Sequence, residues 1–220
     1  MGVNVSGAGT GVIRIQGARE IKGEPVHRII PDRIVTGTYL AAAAATGGSL
    51  VVTNVIYDHV GSVLYCLKRC GCRIKNYSGN VIALESSGNL AALDLVRTSP
   101  YPGFPTDMQP QLVALLSKCK GTSVVVETVF ENRFRYTEQL MKLGADISIQ
   151  GRAAIIRGVD KLRGAQLEAR DLRGGAALVI GALAAEGTSS ISGVGYIDRG
   201  YERMEKVLAG VGANIKRVEA

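Results

Sequence analysis

The sequence predicts an α+β fold in which three repeated strand–helix–strand–helix units form one domain. The first observation is a recurring segment: "PDRIVTGTYLAAAAATGGSLVV", "PTDMQPQLVALLSKCKGTSVVV" and "RDLRGGAALVIGALAAEGTSSI". Each opens on an aspartate (Asp32, Asp107, Asp171), continues through an apolar helical stretch and stops at glycine, followed by a short β-rich piece. The second is an amphipathic helix in each copy ending in "LKRCGCRI", "LMKLGADI" or "LAGVGANI", where glycine closes the helix and a small residue leads into a strand. The third is a pair of hairpin-like segments, "VIRIQGAREIKGEPVHRI" and "AIIRGVDKLRGAQLEARD", with the same apolar alternation and glycine positions.

Taken in order, residues 11–78, 79–150 and 151–220 each hold a hairpin, a helix, a strand and a second helix. The beginning is out of phase. "MGVNVSG" matches "LGADISIQG" at residues 143–151, so Met1 stands where a helix should be ending. The expectation is half of a larger protein: leading strands over residues 1–28 and a C-terminal domain over residues 29–220. The hairpin at residues 11–28 is expected to complete that domain as in a circular permutation.

Composition sets outer limits. Hydrophobic residues make up 46% and charged residues 20%, ordinary for a soluble globular chain. The richest apolar stretch is broken by Thr46, Gly47 and Gly48, short of a membrane span, and the start shows no secretory pattern. A cytoplasmic protein is expected. Cys66, Cys70, Cys72 and Cys119 show neither a CxxC pair nor a nearby histidine set, which favours reduced thiols over a disulfide framework or a zinc site. His27 and His59 have no carboxylate at metal spacing, so neither a metal nor a cofactor is expected. The net charge of +7 is scattered, without basic runs interleaved with aromatics; a small anionic substrate accounts for it as well as a mildly basic surface does.

The stretch "YPGFPTDMQPQ" places three of the chain's six prolines around Asp107. Proline fixes φ, so such a loop holds its carboxylate within a narrow range of positions. A second reading stands beside this one: Asp107 occupies the position of a helix N-cap, as Asp32 and Asp171 do in their units.

With "GAGT", "PDRI", "PYPGFPTDMQPQ", "ETVFENRF", "DLRGGAALVI" and "IDRGYE" in this order, the chain resembles the UDP-N-acetylglucosamine 1-carboxyvinyltransferases of the enolpyruvyl transferase family. The resemblance covers the whole chain but only the C-terminal half of the family's length. It implies an inside-out α/β barrel domain and an active site in a cleft between two such domains. The reaction it implies transfers enolpyruvate from phosphoenolpyruvate to the 3-hydroxyl of UDP-N-acetylglucosamine and releases phosphate, in peptidoglycan precursor synthesis. By the same resemblance Asp107 is the catalytic base. Thr106, Asp107 and Val129 contact the UDP-sugar, Val129 through its backbone; Arg173 and Arg199 bind phosphoenolpyruvate; and Arg133 lines the cleft. A guanidinium suits both anions because its planar fork donates two parallel hydrogen bonds.

The family's general acid, a cysteine on a mobile loop, and its lysine–asparagine pair belong to the other half and are absent from these 220 residues. The chain alone is therefore expected to be inactive or nearly so, with the N-terminal half as its missing partner and self-association through the open cleft face. Neither nucleic acid nor membrane is an expected partner. Two alternatives remain: a domain acting on shikimate 3-phosphate, and a non-catalytic binding or interaction module that retains the fold.

Overall fold

The computed structural model describes residues 1–218 and divides into two units, Met1–Ile30 and Pro31–Ala220. In the first, β1 (Asn4–Ser6) pairs antiparallel with β2 (Arg14–Gln16), Val5 lying opposite Ile15. The unit buries no side chain of its own. The hairpin expected over residues 11–28 does not form within this unit: only β2 is extended there, and its partner precedes it. Gly23 has a positive φ and Pro25 offers no N–H, so the second arm cannot sustain a ladder.

The second unit begins with α1 (Arg33–Ala45), where the Asp32 carboxylate accepts from the N–H groups of Ile34 and Val35 at 2.7 and 3.3 Å. Strand β3 (Ser49–Thr53) follows, then α2 (Gly61–Cys70), then the hairpin of β4 (Arg73–Tyr77) and β5 (Val81–Glu85). Its turn carries positive φ at Ser78 and Gly79, the backbone twist that suits a two-stranded hairpin. These strands form one sheet in the order β3-β5-β4.

A second sheet contains β6 (Leu95–Arg97), β7 (Thr122–Val126), β8 (Asp146–Gln150) and β9 (Ala153–Arg157), ordered β6-β7-β9-β8. Helix α3 (Gln109–Leu116) lies between β6 and β7 in sequence, and α4 (Thr137–Lys142) between β7 and β8. The remaining elements are β10 (Leu162–Arg163), β11 (Gln166–Glu168), α5 (Leu172–Leu183), β12 (Ala185–Glu186), β13 (Ser190–Ser192), α6 (Gly195–Asp198) and α7 (Met204–Gly210). Here β10 runs parallel to β12, and β11 parallel to β13.

Helices α1, α3 and α5 pack on one another. Every residue of α3 is buried, as is α5 from Gly174 to Gly181. The strands lie outside them, with alternate residues open to solvent. Helices within and sheets without suits predominantly apolar helices, which have little polar face to give to water.

Three local expectations are corrected. Residues 154–171 do not fold as a hairpin. After β9, Gly158 donates to the Gly121 carbonyl and Val159 to that of Ser117, turning the chain away, and β10 and β11 then find separate parallel partners. The second helix of the last unit is split into α6 and α7 by Arg203, whose φ is 45°. No strand follows "LAGVGANI" among the described residues. Residues 213–218 are irregular, and Arg217 holds the segment through side chains, donating to Asp198 at 2.6 and 3.0 Å and to Glu205 at 3.2 Å.

Candidate functional site

Asp107 lies in a single 3-10 turn, Thr106–Met108, directly before α3. Its carboxylate caps nothing: the N-cap residue of α3 is Met108, which makes no side-chain cap bond, and Pro110 enters the first turn without an N–H to satisfy. This separates Asp107 from Asp32 and from Asp171, whose Oδ1 accepts from the Gly174 N–H at 2.7 Å. The capping reading holds for two of the three aspartates and fails for Asp107.

The Asp107 carboxylate instead faces two guanidiniums. Arg133 Nη2 donates to Oδ1 at 2.6 Å, and Arg173 Nη2 donates to Oδ2 at 3.3 Å. Arg133 is set in the loop between β7 and α4 and stacks on Phe130, 4.8 Å from the ring centre. Arg173 sits in the first turn of α5, where a cation opposes the helix dipole. Helix stability therefore does not account for its position; the facing carboxylate offsets the charge.

Arg173 is also held from behind. Its Nη1 donates to the Tyr201 hydroxyl at 3.2 Å, and its guanidinium lies 5.5 Å from the Tyr201 ring centre. Tyr201 is buried and shares its hydroxyl with Thr38 at 2.8 Å and Gln111 Nε2 at 3.2 Å. Below this group Tyr136 donates to Gln109 Oε1 at 2.9 Å, and burial pushes the Tyr136 hydroxyl well above its ordinary range, which keeps it a donor. Among the described residues three buried polar atoms, Arg173 Nε, Gln109 Nε2 and Gln111 Oε1, have no hydrogen-bond partner.

The other expected site residues divide. Thr106 donates its hydroxyl to Glu127 at 2.8 Å, and Val129 donates its N–H to the same carboxylate at 2.8 Å. Thr106, Asp107, Val129, Arg133 and Arg173 are thus linked through direct bonds or through Glu127. Arg199 is not linked to them. It ends α6, is exposed, and makes no ion pair among the described residues; Asp198 beside it is taken by Arg217. The hydrogen bond from Arg217 holds the Asp198 carboxyl below its usual range.

Sequence reasoning did not single out Glu127, Tyr201, Thr38 or Gln111. One signal was available for two of them: Thr38 and Gln111 are polar residues inside apolar helical runs and need partners when buried. Tyr201 and Glu127 are defined by long-range contacts. The four cysteines are all buried on or just after α2 and α3, and all are free thiols.

A concavity of about 720 Å³ lies elsewhere in this unit, between α1, β3 and residues 207–214. Its one carboxylate, Asp32, is engaged in capping α1, and no convergent charges line it. Opposite charges converge at Asp107 and not in this groove.

A family model described as EPSP synthase (3-phosphoshikimate 1-carboxyvinyltransferase) matches residues 1–208. The UDP-N-acetylglucosamine 1-carboxyvinyltransferase 2 of Caldanaerobacter subterraneus subsp. tengcongensis is 50% identical over 218 residues, covering 99% of this chain and 52% of that protein. The UDP-N-acetylglucosamine 1-carboxyvinyltransferase of Solibacter usitatus is 48% identical over 219 residues, again reaching 52% of its own length. The chain spans about half the length of the curated relatives it matches. Among solved structures, the enolpyruvyl transferase NikO from Streptomyces tendae superposes with a TM-score of 0.76 at 24% identity, over 98% of this chain and 51% of that one. An EPSP synthase from Acinetobacter baumannii gives 0.65 at 20% identity, over 85% and 43%. At these identities the two structures establish the fold alone.

Proposed function

This chain belongs to the EPSP synthase family, and from that premise we propose that it forms one wall of an enolpyruvyl transferase site that takes UDP-N-acetylglucosamine and phosphoenolpyruvate. The observation that carries the reading is Asp107: its carboxylate leaves the helix uncapped and turns to two arginines, in a chain about half identical to transferases named for the UDP-sugar.

In this reading Asp107 accepts the proton of the sugar 3-hydroxyl. Each carboxylate oxygen accepts one bond from an arginine and keeps a second lone pair for a ligand hydroxyl. Thr106 belongs to the same turn. Val129 has its N–H engaged by Glu127, which leaves its carbonyl as the group for backbone recognition. Arg133 and Arg173 face phosphate and carboxylate, and Arg199, exposed and without an ion-pair partner among the described residues, joins them when phosphoenolpyruvate arrives. The general acid and the opposing wall come from the remainder of the relatives' length, with phosphate as the released product. The pathway is peptidoglycan precursor synthesis and the compartment the cytoplasm. No helix among the described residues is long and apolar enough to cross a membrane.

Calorimetry with UDP-N-acetylglucosamine, shikimate 3-phosphate and phosphoenolpyruvate tests the reading, with phosphate release followed in parallel. The expected result is UDP-sugar binding that disappears in Asp107→Ala, with no turnover by the chain alone. Preference for shikimate 3-phosphate would move the assignment to the sister activity. Binding of none of the three would leave a family fold without this function.

A further inference from the structure

Glu127 follows β7 and begins the loop that reaches Arg133. Its side chain is 1% exposed, yet it enters no ion pair among the described residues. A buried carboxylate without a cation is costly unless hydrogen bonds offset its desolvation. Here both oxygens accept such bonds. Oε1 accepts from the Thr98 hydroxyl at 2.8 Å and from the N–H groups of Val129 and Phe130 at 2.8 and 3.2 Å, while Oε2 accepts from the Thr106 hydroxyl at 2.8 Å. Thr98 in turn accepts from the Thr128 N–H at 2.8 Å.

The donors come from three separate places: the end of β6, the turn that carries Asp107, and the loop that carries Arg133. Sheet formation does not explain this carboxylate, because the bond from the Glu127 N–H to the Arg152 carbonyl is made by backbone alone. The carboxylate does join two segments whose only direct tie in the site is the Arg133–Asp107 bond. We propose that Glu127 is a positioning residue: it fixes the spacing of the Asp107 turn and the Val129–Arg133 loop, and so the arrangement those residues offer to a ligand. It acts through Thr106, Val129 and Phe130 and touches no substrate. Its effect on UDP-sugar binding rests on the function proposed above; the positioning itself does not.

Two variants separate a hydrogen-bonding role from a packing role. Glu127→Gln keeps an acceptor for Thr98, Val129 and Phe130, and its amide can donate to a Thr106 hydroxyl turned to accept. Glu127→Met keeps the volume and loses all four bonds. Backbone amide exchange on the full chain reads the positioning. In Glu127→Met the amides of Val129, Phe130 and Met108, the last being the bond that closes the Asp107 turn, should exchange at least about tenfold faster. Amides in the β3-β5-β4 sheet should be unchanged, and Glu127→Gln should stay near wild type. An unchanged Met108 amide in Glu127→Met would overturn the proposal. If that variant does not fold, Thr106→Val cuts the single bond between Glu127 and the turn and is read at the same amide. Calorimetry with UDP-N-acetylglucosamine then reads the consequence. Binding at least about tenfold weaker in Glu127→Met, rescued in Glu127→Gln, supports it; equal binding by all three proteins overturns it. Failure of the wild-type chain to bind would count against the function proposed above, and amide exchange would still decide the role of Glu127.

Discussion

Arg173 lies over the ring of Tyr201 and donates to its hydroxyl at 3.2 Å, so one buried aromatic residue fixes both the plane and the tip of a guanidinium. The protons in this group can be assigned. Thr38 donates its hydroxyl to the Ile34 carbonyl at 2.8 Å, so it must accept from Tyr201, whose lone pairs then receive Arg173 and Gln111. Tyr201→Phe removes the hydroxyl shared by Arg173, Gln111 and Thr38, each of which loses one bond, while Gln111 still donates to Thr38 at 3.0 Å. It should destabilise the protein by about 1–3 kcal/mol in urea denaturation, with the ring packing retained.

The three aspartates give a contrast within one molecule. Asp32→Ala and Asp171→Ala each remove a helix cap and should each cost about 1 kcal/mol. Asp107→Ala removes no cap, and its pairs with Arg133 and Arg173 are partly open to solvent, so its effect on the denaturation midpoint should be smaller than either. Equal losses at all three positions would return Asp107 to a capping role.

This contrast also marks what the sequence could tell. Helices α1, α3 and α5 were legible because their signals are local: a capping or turn aspartate, a run of apolar residues, a stopping glycine. Asp32 and Asp171 cap as such a pattern implies. Asp107 follows the same pattern but sits one residue further out, inside a 3-10 turn, and only its contacts reveal the difference. The parallel pairs β10–β12 and β11–β13 were not legible, since two- and three-residue strands carry no alternation that names a partner. Glu127 and Tyr201 were missed for a related reason. A carboxylate at a strand end reads as solvent-facing until the three segments that surround it are known.

Gly158 comes so close to the Cys119 carbonyl that a methyl group there would overlap it. The obstacle is backbone, which cannot swing aside as a long side chain can. Gly158→Ala should therefore cost about 3 kcal/mol or more, the upper end of overpacking penalties, and a thermal melt against wild type measures it.

Burial pushes the Cys66 thiol up to about 12 and the Cys72 thiol up to about 11; Cys70 is raised too, by its bond with Cys119 and then by burial. A folded-state value above the unfolded one means the thiol form is favoured by folding. That stability is complete below the ordinary thiol value of 9.0 and is lost as pH rises through 9 toward 11 and 12. Urea midpoints should fall between pH 8 and pH 10.5, and less so in a Cys66→Ala/Cys72→Ala variant compared with its own value at pH 8. Ellman's reagent at pH 8 should find all four thiols only after unfolding.

Arg199 offers the cleanest separation of function from stability. It is exposed at the end of α6 and makes no ion pair among the described residues, so nothing in the fold depends on its charge. Arg199→Ala should leave the denaturation midpoint within about 0.5 kcal/mol of wild type. If Arg199 receives phosphoenolpyruvate, the same change should weaken that ligand's binding, while UDP-N-acetylglucosamine binding, assigned to Thr106, Asp107 and Val129, stays near wild type. Arg173→Ala makes the control: it takes a partner from both Asp107 and Tyr201, and should lower stability as well as anion binding. Calorimetry with each ligand, run beside urea denaturation, distinguishes the two arginines. Loss of stability in Arg199→Ala, or phosphoenolpyruvate binding unchanged by it in a chain that binds that ligand, would remove Arg199 from the site.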